Sequence, residues 1–268
     1  ALLGLTGHVE TPGHALAWGV FAAGVAQFAW LAWFCRRQGF PLRLVRPRWT
    51  EKVALLIKRI LPVVFGASLY QVNLLIGTIL ATYVSDGAVS YLYYADRVTQ
   101  LPLGVVGVAV GTALLPLLAR QLKAGDDAAA QNSQNRGLEF ALLLTLPAAA
   151  ACLVIPDEII RVLFERGAFG AEATAATASA LFAYATGLPA YVLIRVLAPG
   201  FYAREDTSTP VRIAIAAMVV NIALMLVLMK PMGHVGIALA ASASAWLNTL
   251  LPAYVLIRVL APGFYARE

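Results

Sequence analysis

The stretch from Tyr91 to Thr112, YLYYADRVTQLPLGVVGVAVGT, sets Asp96 beside Arg97 at the head of a long apolar run. An arginine offers five N–H donors in a planar fork that matches carboxylate or phosphate oxygens, and an adjacent aspartate can orient it or limit its charge. The pair therefore points to anion binding. The other polar side chains inside apolar stretches are few: Gln27, Gln71, Asn73, Asn221, Asn248, and Arg195 with its copy Arg258. Buried amides in such stretches most often bond a neighbouring helix. Arg195 sits near the end of its stretch, where a long side chain can reach polar surroundings, so its default role is structural.

Signatures of covalent catalysis are missing. The chain has no GxSxG, HExxH, CxxC pair or P-loop, and no two carboxylates share an apolar stretch. No enzyme activity, metal or cofactor is expected. Cys35 and Cys152 lie far apart in apolar surroundings, and His8, His14 and His234 have no metal-ligand spacing, so neither a disulfide framework nor a metal site is implied.

These residues must be positioned by membrane-spanning helices. Of the 268 residues 60% are hydrophobic and 13% charged, against about 25% charged in soluble domains. Seven stretches approach or exceed the roughly 20 residues a helix needs to cross about 30 Å of hydrocarbon: Gly13 to Cys35, Val53 to Thr82, Ala88 to Ala119, Gly137 to Ile155, Thr174 to Ala198, Pro210 to Met229 and His234 to Leu250. Their Ala, Leu and Gly content, without alternation of period two, predicts an all-α bundle and not a barrel. The segment EIIRVLFERGAF spaces Ile159, Ile160, Leu163 and Phe164 as a short amphipathic helix at the outer surface.

The net charge of +6 lies in the connections, so it sets topology and does not imply nucleic acid. Arg36, Arg37, Arg43, Arg46, Arg48 and Lys52 place the first connection in the cytoplasm. TYVSDGA (Thr82 to Ala88) has no basic residue and belongs outside, whereas the connections Arg120 to Arg136 and Arg204 to Pro210 are basic and belong inside.

The depth of Arg97 has two readings. If its span begins near Ala88, nine residues at 1.5 Å each carry Arg97 roughly 13 Å into the membrane, where an ionised side chain is functional by default. If the span begins at Leu101, Tyr91, Tyr93 and Tyr94 form an interfacial aromatic belt and Arg97 is an anchor. The physical pattern alone leaves both open.

Proline and glycine recur inside the spans. Pro62, Pro102, Pro116, Pro147, Pro189 and Pro252 are the kind of helix breaks found in transporters, and Gly104, Gly107 and Gly111 permit close helix packing. LPAYVLIRVLAPGFYARE occurs twice without change, at Leu188 to Glu205 and at Leu251 to Glu268. Two identical copies are unlike a solenoid, whose repeats diverge, so the second is expected to be a recent duplication or an artefact. The first residue is Ala1 and no basic leader precedes the apolar run, so a fragment without its natural start is expected.

SYLYYADRVTQLPLGVVGVAVGTALLPLLAR, RVLFERGAF and LPAYVLIRVLAPGFYAREDTSTPVRIA strongly resemble the MurJ (MviN) family of bacterial lipid II flippases, within the multidrug/oligosaccharidyl-lipid/polysaccharide exporter superfamily. The resemblance covers Gly13 to about Leu250. It implies two six-helix lobes around a central cavity in the bacterial inner membrane, moving lipid II between leaflets by alternating access. Residues 1–35 would end the N-terminal lobe, 36–52 link the lobes, 53–250 form a MATE-like C-terminal lobe, and 251–268 be the extra copy. Most of the N-terminal lobe would be a missing partner, leaving the fragment alone inactive. The resemblance assigns Arg97 to the lipid diphosphate, with Asp96 beside it and Gln100, Asn73 and Asn221 as supporting polar residues. Gln100 departs from the glutamate of many members. Gly77 and Met225 stand where some sodium-binding members carry aspartates, which leaves the driving force open. A drug or ion antiporter of the same superfamily, relying on Asp96, and a membrane scaffold without transport are the alternatives.

Overall fold

The computed structural model describes residues 12–39, 50, 53–54 and 71–260. The chain divides into two compact units, residues 1–58 and 59–268. In the first, α1 (Pro12–Arg37) is capped by Pro12, whose missing N–H costs nothing in a first turn, and by Arg36 and Arg37 at its negative end. The Arg37 guanidinium lies 5.2 Å from the Trp33 ring. Phe21, Phe28 and Trp30 are all exposed. A helix apolar on every side at about 39 Å long is built for a bilayer.

The second unit holds α2 (Gln71–Thr82), α3 (Ala88–Pro102), a π-helical segment (Leu103–Val108), α4 (Ala109–Lys123), α5 (Asp127–Val154), α6 (Pro156–Phe164), α7 (Ala171–Ala185), α8 (Leu188–Tyr202) and α9 (Ser208–Leu260). Every described element is helical. From Ala88 to Lys123 the path is one continuous rod of 36 residues. Pro102 inside it lacks an N–H and crowds the carbonyl a turn earlier, and the wider π turn that follows absorbs the mismatch.

Two expected spans are shaped differently from a straight rod. Thr174 to Ala198 is split into α7 and α8, bent by 43°. The break falls at Gly187, where a side chain would meet Ser242 at 2.7 Å, and Pro189 follows in the first turn of α8. The carbonyls near the break are satisfied across the interface with α9: Ser242 donates to Ala183 O (2.8 Å), Trp246 Nε1 to Thr186 O (2.9 Å) and Thr249 to Ala190 O (3.0 Å). A broken helix survives in hydrocarbon only with such replacement partners.

The second case is α9, whose helical run of 53 residues turns at Gly233 (φ 60, ψ −136). In a straight helix, residues eight apart would be about 12 Å apart along the axis. Here a Cβ at Gly236 would collide with Leu228 O, so the two legs double back. This turn falls in KPMGH, between the two spans expected there.

Contacts order the two ends of the unit. At one end Val84 meets Gly233, and Tyr91 stacks on His234 at 5.6 Å. At the other, Gln121 donates to Ser133 (2.9 Å) and Gln134 to Val196 O (2.7 Å). The basic connections Arg120 to Arg136 and Arg204 to Pro210 thus share an end, opposite the turn at Gly233. α6 carries its buried residue, Ile160, inward, while Val162 is 82% exposed. The cores between helices are rich in alanine: Ala81, Ala95, Ala180, Ala183, Ala238 and Ala240 are fully buried. Small side chains bring backbones close, and dispersion then holds helices together where lipid offers no hydrophobic drive.

Candidate anion site on an intramembrane helix

Tyr93 and Gln100 each lie three or four residues from both Asp96 and Arg97 on α3, which brings all four within reach of one another on the helix surface. Arg97 Nη1 donates to Gln100 Oε1 at 3.0 Å, while Gln100 Nε2 donates to the Asp96 carboxylate. Neighbours in sequence diverge by about 100° around a helix, so the amide a turn later is what joins the aspartate to the arginine. Glutamine suits this position because it has both an acceptor and a donor. A glutamate there would bond Arg97 but confront Asp96 with a second acceptor.

The other face of Arg97 is covered by Tyr93, whose ring centroid lies 4.6 Å from the guanidinium carbon, a cation–π distance. Arg97 is exposed on the surface of the unit, with Asp96 and Gln100 half-buried and Ala95, Val98 and Thr99 buried behind them. Thr99 donates to Asp96 O at 2.9 Å and so keeps its hydroxyl satisfied within the helix.

An aromatic clamp steadies this part of α3. Tyr94 packs on Phe164 at 4.9 Å and on Phe169 at 5.3 Å, tying α6 and the connection to α7 against the turn that precedes Arg97. Tyr94, Phe164 and Phe169 were not recognisable as a unit, because they meet only in three dimensions. Their one sequence signal was the aromatic spacing within RVLFERGAF.

Asn73 and Asn221 form a separate contact. Asn221 Nδ2 donates to Asn73 Oδ1 at 2.8 Å and so ties α2 to α9. Among the described residues no hydrogen bond links this pair to the Arg97 cluster. Asn221 is 1% exposed and its own Oδ1 accepts no hydrogen bond. One turn on, the Met225 methyl would lie 3.4 Å from a Cβ at Gly77. A hard cation needs several oxygen ligands, charged ones by preference. One free amide oxygen beside a thioether does not fit that requirement.

An all-helical bundle of broken and doubled-back apolar helices, several of them long enough to cross a bilayer, is the architecture of a multi-pass membrane protein. Its fold matches an outward-facing multidrug resistance MATE family transporter of the MOP superfamily with a TM-score of 0.65 over 78% of this chain and 48% of that one, at 20% identity. The chain belongs to the family described as "Lipid II flippase MurJ", whose model matches residues 2–267. It is 49% identical over 89% of its length to "Probable lipid II flippase MurJ" of Rhizobium meliloti (strain 1021), covering 44% of that protein. It is 39% identical over 96% of its length to the Haemophilus influenzae protein of the same name, covering 51% of it. The solved structure of a lipid II flippase MurJ in an inward closed conformation matches with a TM-score of 0.70 at 27% identity, over 79% of this chain and 45% of that one. The chain spans about half the length of the curated relatives it matches.

Proposed function

We propose that this chain forms part of a transporter that flips lipid II from the inner to the outer leaflet of the bacterial cytoplasmic membrane. Residues 53–250 act as one lobe, residues 1–35 belong to another, and 36–52 link the two. Arg97 takes the lipid-linked diphosphate. The supporting observation is the bonding state of its guanidinium: among the described residues one of its five donors is committed, to Gln100, and the group is exposed within an apolar helix. Such a cation is expensive in hydrocarbon unless it meets an anion. Asp96 and Gln100 offset its charge while no anion is bound and hold the fork aimed outward.

No bond is made or broken in this reading, so no enzymatic step is needed. Alternating access by two lobes moves the anion, and the membrane potential or protons remain open as the driving force. Flipping is favoured over drug or ion antiport because the 49% identical relative is named a lipid II flippase, whereas the multidrug transporter is similar at 20%. Asp96, the carboxylate an antiporter would rely on, is engaged by Gln100.

The test is a chimera in which residues 13–250 replace the matching segment of the Rhizobium meliloti relative, in cells depleted of their own flippase. The chimera should restore growth, and its Arg97→Ala version should not, at equal membrane expression. Normal growth with Arg97→Ala would overturn the assignment.

A further inference from the structure

Arg195 on α8 is the second arginine inside the apolar part of this unit, and the structure does not treat it as a simple anchor. Its side chain is exposed, and among the described residues no hydrogen bond, ion pair or ring contact engages the guanidinium. Its stem is seated with care. A Cβ at Gly107 would lie 3.3 Å from Arg195 Cγ, and a Cβ at Gly111 would lie 2.8 Å from Arg195 O. Two positions on the π segment and α4 thus carry no side chain where this residue crosses them. The rest of α8 explains the exposure: Val192, Val196, Leu197, Pro199 and Phe201 are buried, while Tyr191, Arg195, Ala198 and Tyr202, at spacings of four, three and four, line its more open side.

Depth gives this arrangement a meaning. Gly107 lies ten residues beyond Arg97 on the same continuous rod, so Arg195 crosses it about 15 Å farther along. Arg97 is nine residues, about 14 Å, from the start of that rod at Ala88, and Arg195 is eight residues, about 12 Å, from Ala203 just past the other end of α8. Those lengths total about 40 Å, the thickness of a bilayer with its interfaces. One arginine therefore belongs to each half of the membrane, on helices that pack against each other. Lipid-facing surface looks different: the exposed side of α5 is Phe140, Leu143, Leu144 and Leu146.

We propose that Arg195 is a second binding site for the lipid-linked diphosphate, on the side of the basic connections, from which the anion passes to Arg97. This rests on the flippase reading above. The shared chemistry is a phosphate carried on a lipid, and the guanidinium fork binds two of its oxygens at once. The separation from Arg97 is far more than one diphosphate spans, so each arginine holds its own lipid when both sites are filled. They do not form one clamp.

The experiment is native mass spectrometry of the chain, residues 1–268, with undecaprenyl diphosphate as the probe and phosphatidylglycerol as competitor. The wild type should carry up to two copies of the probe. Arg195→Gln should carry one, Arg97→Gln one, and the double variant none. Arg195→Lys should keep the second copy at reduced occupancy, which shows that the loss in Arg195→Gln is not a folding defect. Two copies retained by Arg195→Gln, or no binding by the wild type, would overturn the proposal. So would equal displacement of the second copy by phosphatidylglycerol, which would make Arg195 a site for ordinary headgroups. Loss of a copy in Arg195→Gln with none lost in Arg97→Gln would support the second site and refute the role given to Arg97.

Discussion

Two of the polar contacts built into this apolar bundle are made on opposite principles. Asn73 and Asn221 are neutral, come from different helices and face each other, with Asn221 buried to 1% exposure. Asp96, Arg97 and Gln100 are charged, belong to one helix and leave the arginine exposed. The first contact uses its polar groups to join helices, as amides do in membranes. The second spends no hydrogen bond on packing and keeps donors available for something that is not part of the chain. Polarity inside a membrane therefore does not by itself mark a binding site, and the direction in which the donors are left open separates the two cases.

The comparison breaks most clearly at Arg97. In the chimera, Arg97→Lys should be nearly as damaging as Arg97→Ala, because a point charge loses the two-oxygen grip. An interfacial anchor would tolerate lysine, so wild-type growth with Arg97→Lys at equal expression would return Arg97 to the aromatic belt.

Asn221→Leu should do the reverse, leaving growth at moderate temperature intact and lowering stability by about 0.5–2 kcal/mol, the range for interhelical hydrogen bonds in membranes. Thermal unfolding in detergent measures it. Loss of flipping without loss of stability would show that the buried pair also takes part in transport.

Gln100→Glu sharpens the contrast within the charged cluster. The added carboxylate should pair with Arg97 and repel Asp96, weakening undecaprenyl diphosphate binding several-fold without altering the melting temperature much. Unchanged binding would show that the amide bridge has no part in aiming the arginine.

Sidedness is checked by single cysteines at Asp86 and Asp127 in a variant lacking Cys35 and Cys152. An impermeant thiol reagent should label position 86 in intact spheroplasts, and position 127 only after permeabilisation. Labelling of position 127 from outside would reverse the direction of transport from Arg195 to Arg97.

The smallest effect belongs to an exposed cap that neither contact uses. Asp206 accepts from Thr209 N at 3.0 Å and Ser208 N at 3.1 Å at the start of α9. Hydrogen bonds from Thr209, chiefly, hold its carboxyl below the ordinary value of 3.8. A depressed folded-state value means the stabilisation is fully present above pH 3.8 and is lost as the pH falls through the folded-state value below it. Asp206→Asn should remove that acid-side dependence while changing neutral-pH stability little, because asparagine also caps helices. An unchanged acid profile would show that the cap does not couple to folding.

Helix content and most of the spans were legible in the sequence, because a backbone in hydrocarbon must satisfy its own hydrogen bonds and roughly 20 apolar residues in a row leave it little choice. That Asp96 and Arg97 lie on the helix leading into the apolar run was legible for the same reason, but their depth was not, because a rod of 36 residues is longer than the membrane it crosses. Residues on one helix can be paired by counting, yet the bridge through Gln100 was not foreseen, since rotamers choose among several partners at three- and four-residue spacing. Contacts between helices were out of reach: Asn73 with Asn221, Tyr94 with Phe164, and Arg195 over Gly107 each depend on how rods pack. The duplicated segment shows the limit directly. In the first copy LPAYVLIRVL begins α8 after the break at Gly187, and Leu188 is fully buried; in the second it continues α9, and Leu251 is 38% exposed. Leu256, the counterpart of half-buried Leu193, is buried in its place. Identical residues formed helix in both copies because helix is a local hydrogen-bonding solution. Which side of that helix became interior was decided by the neighbours it met in the bundle.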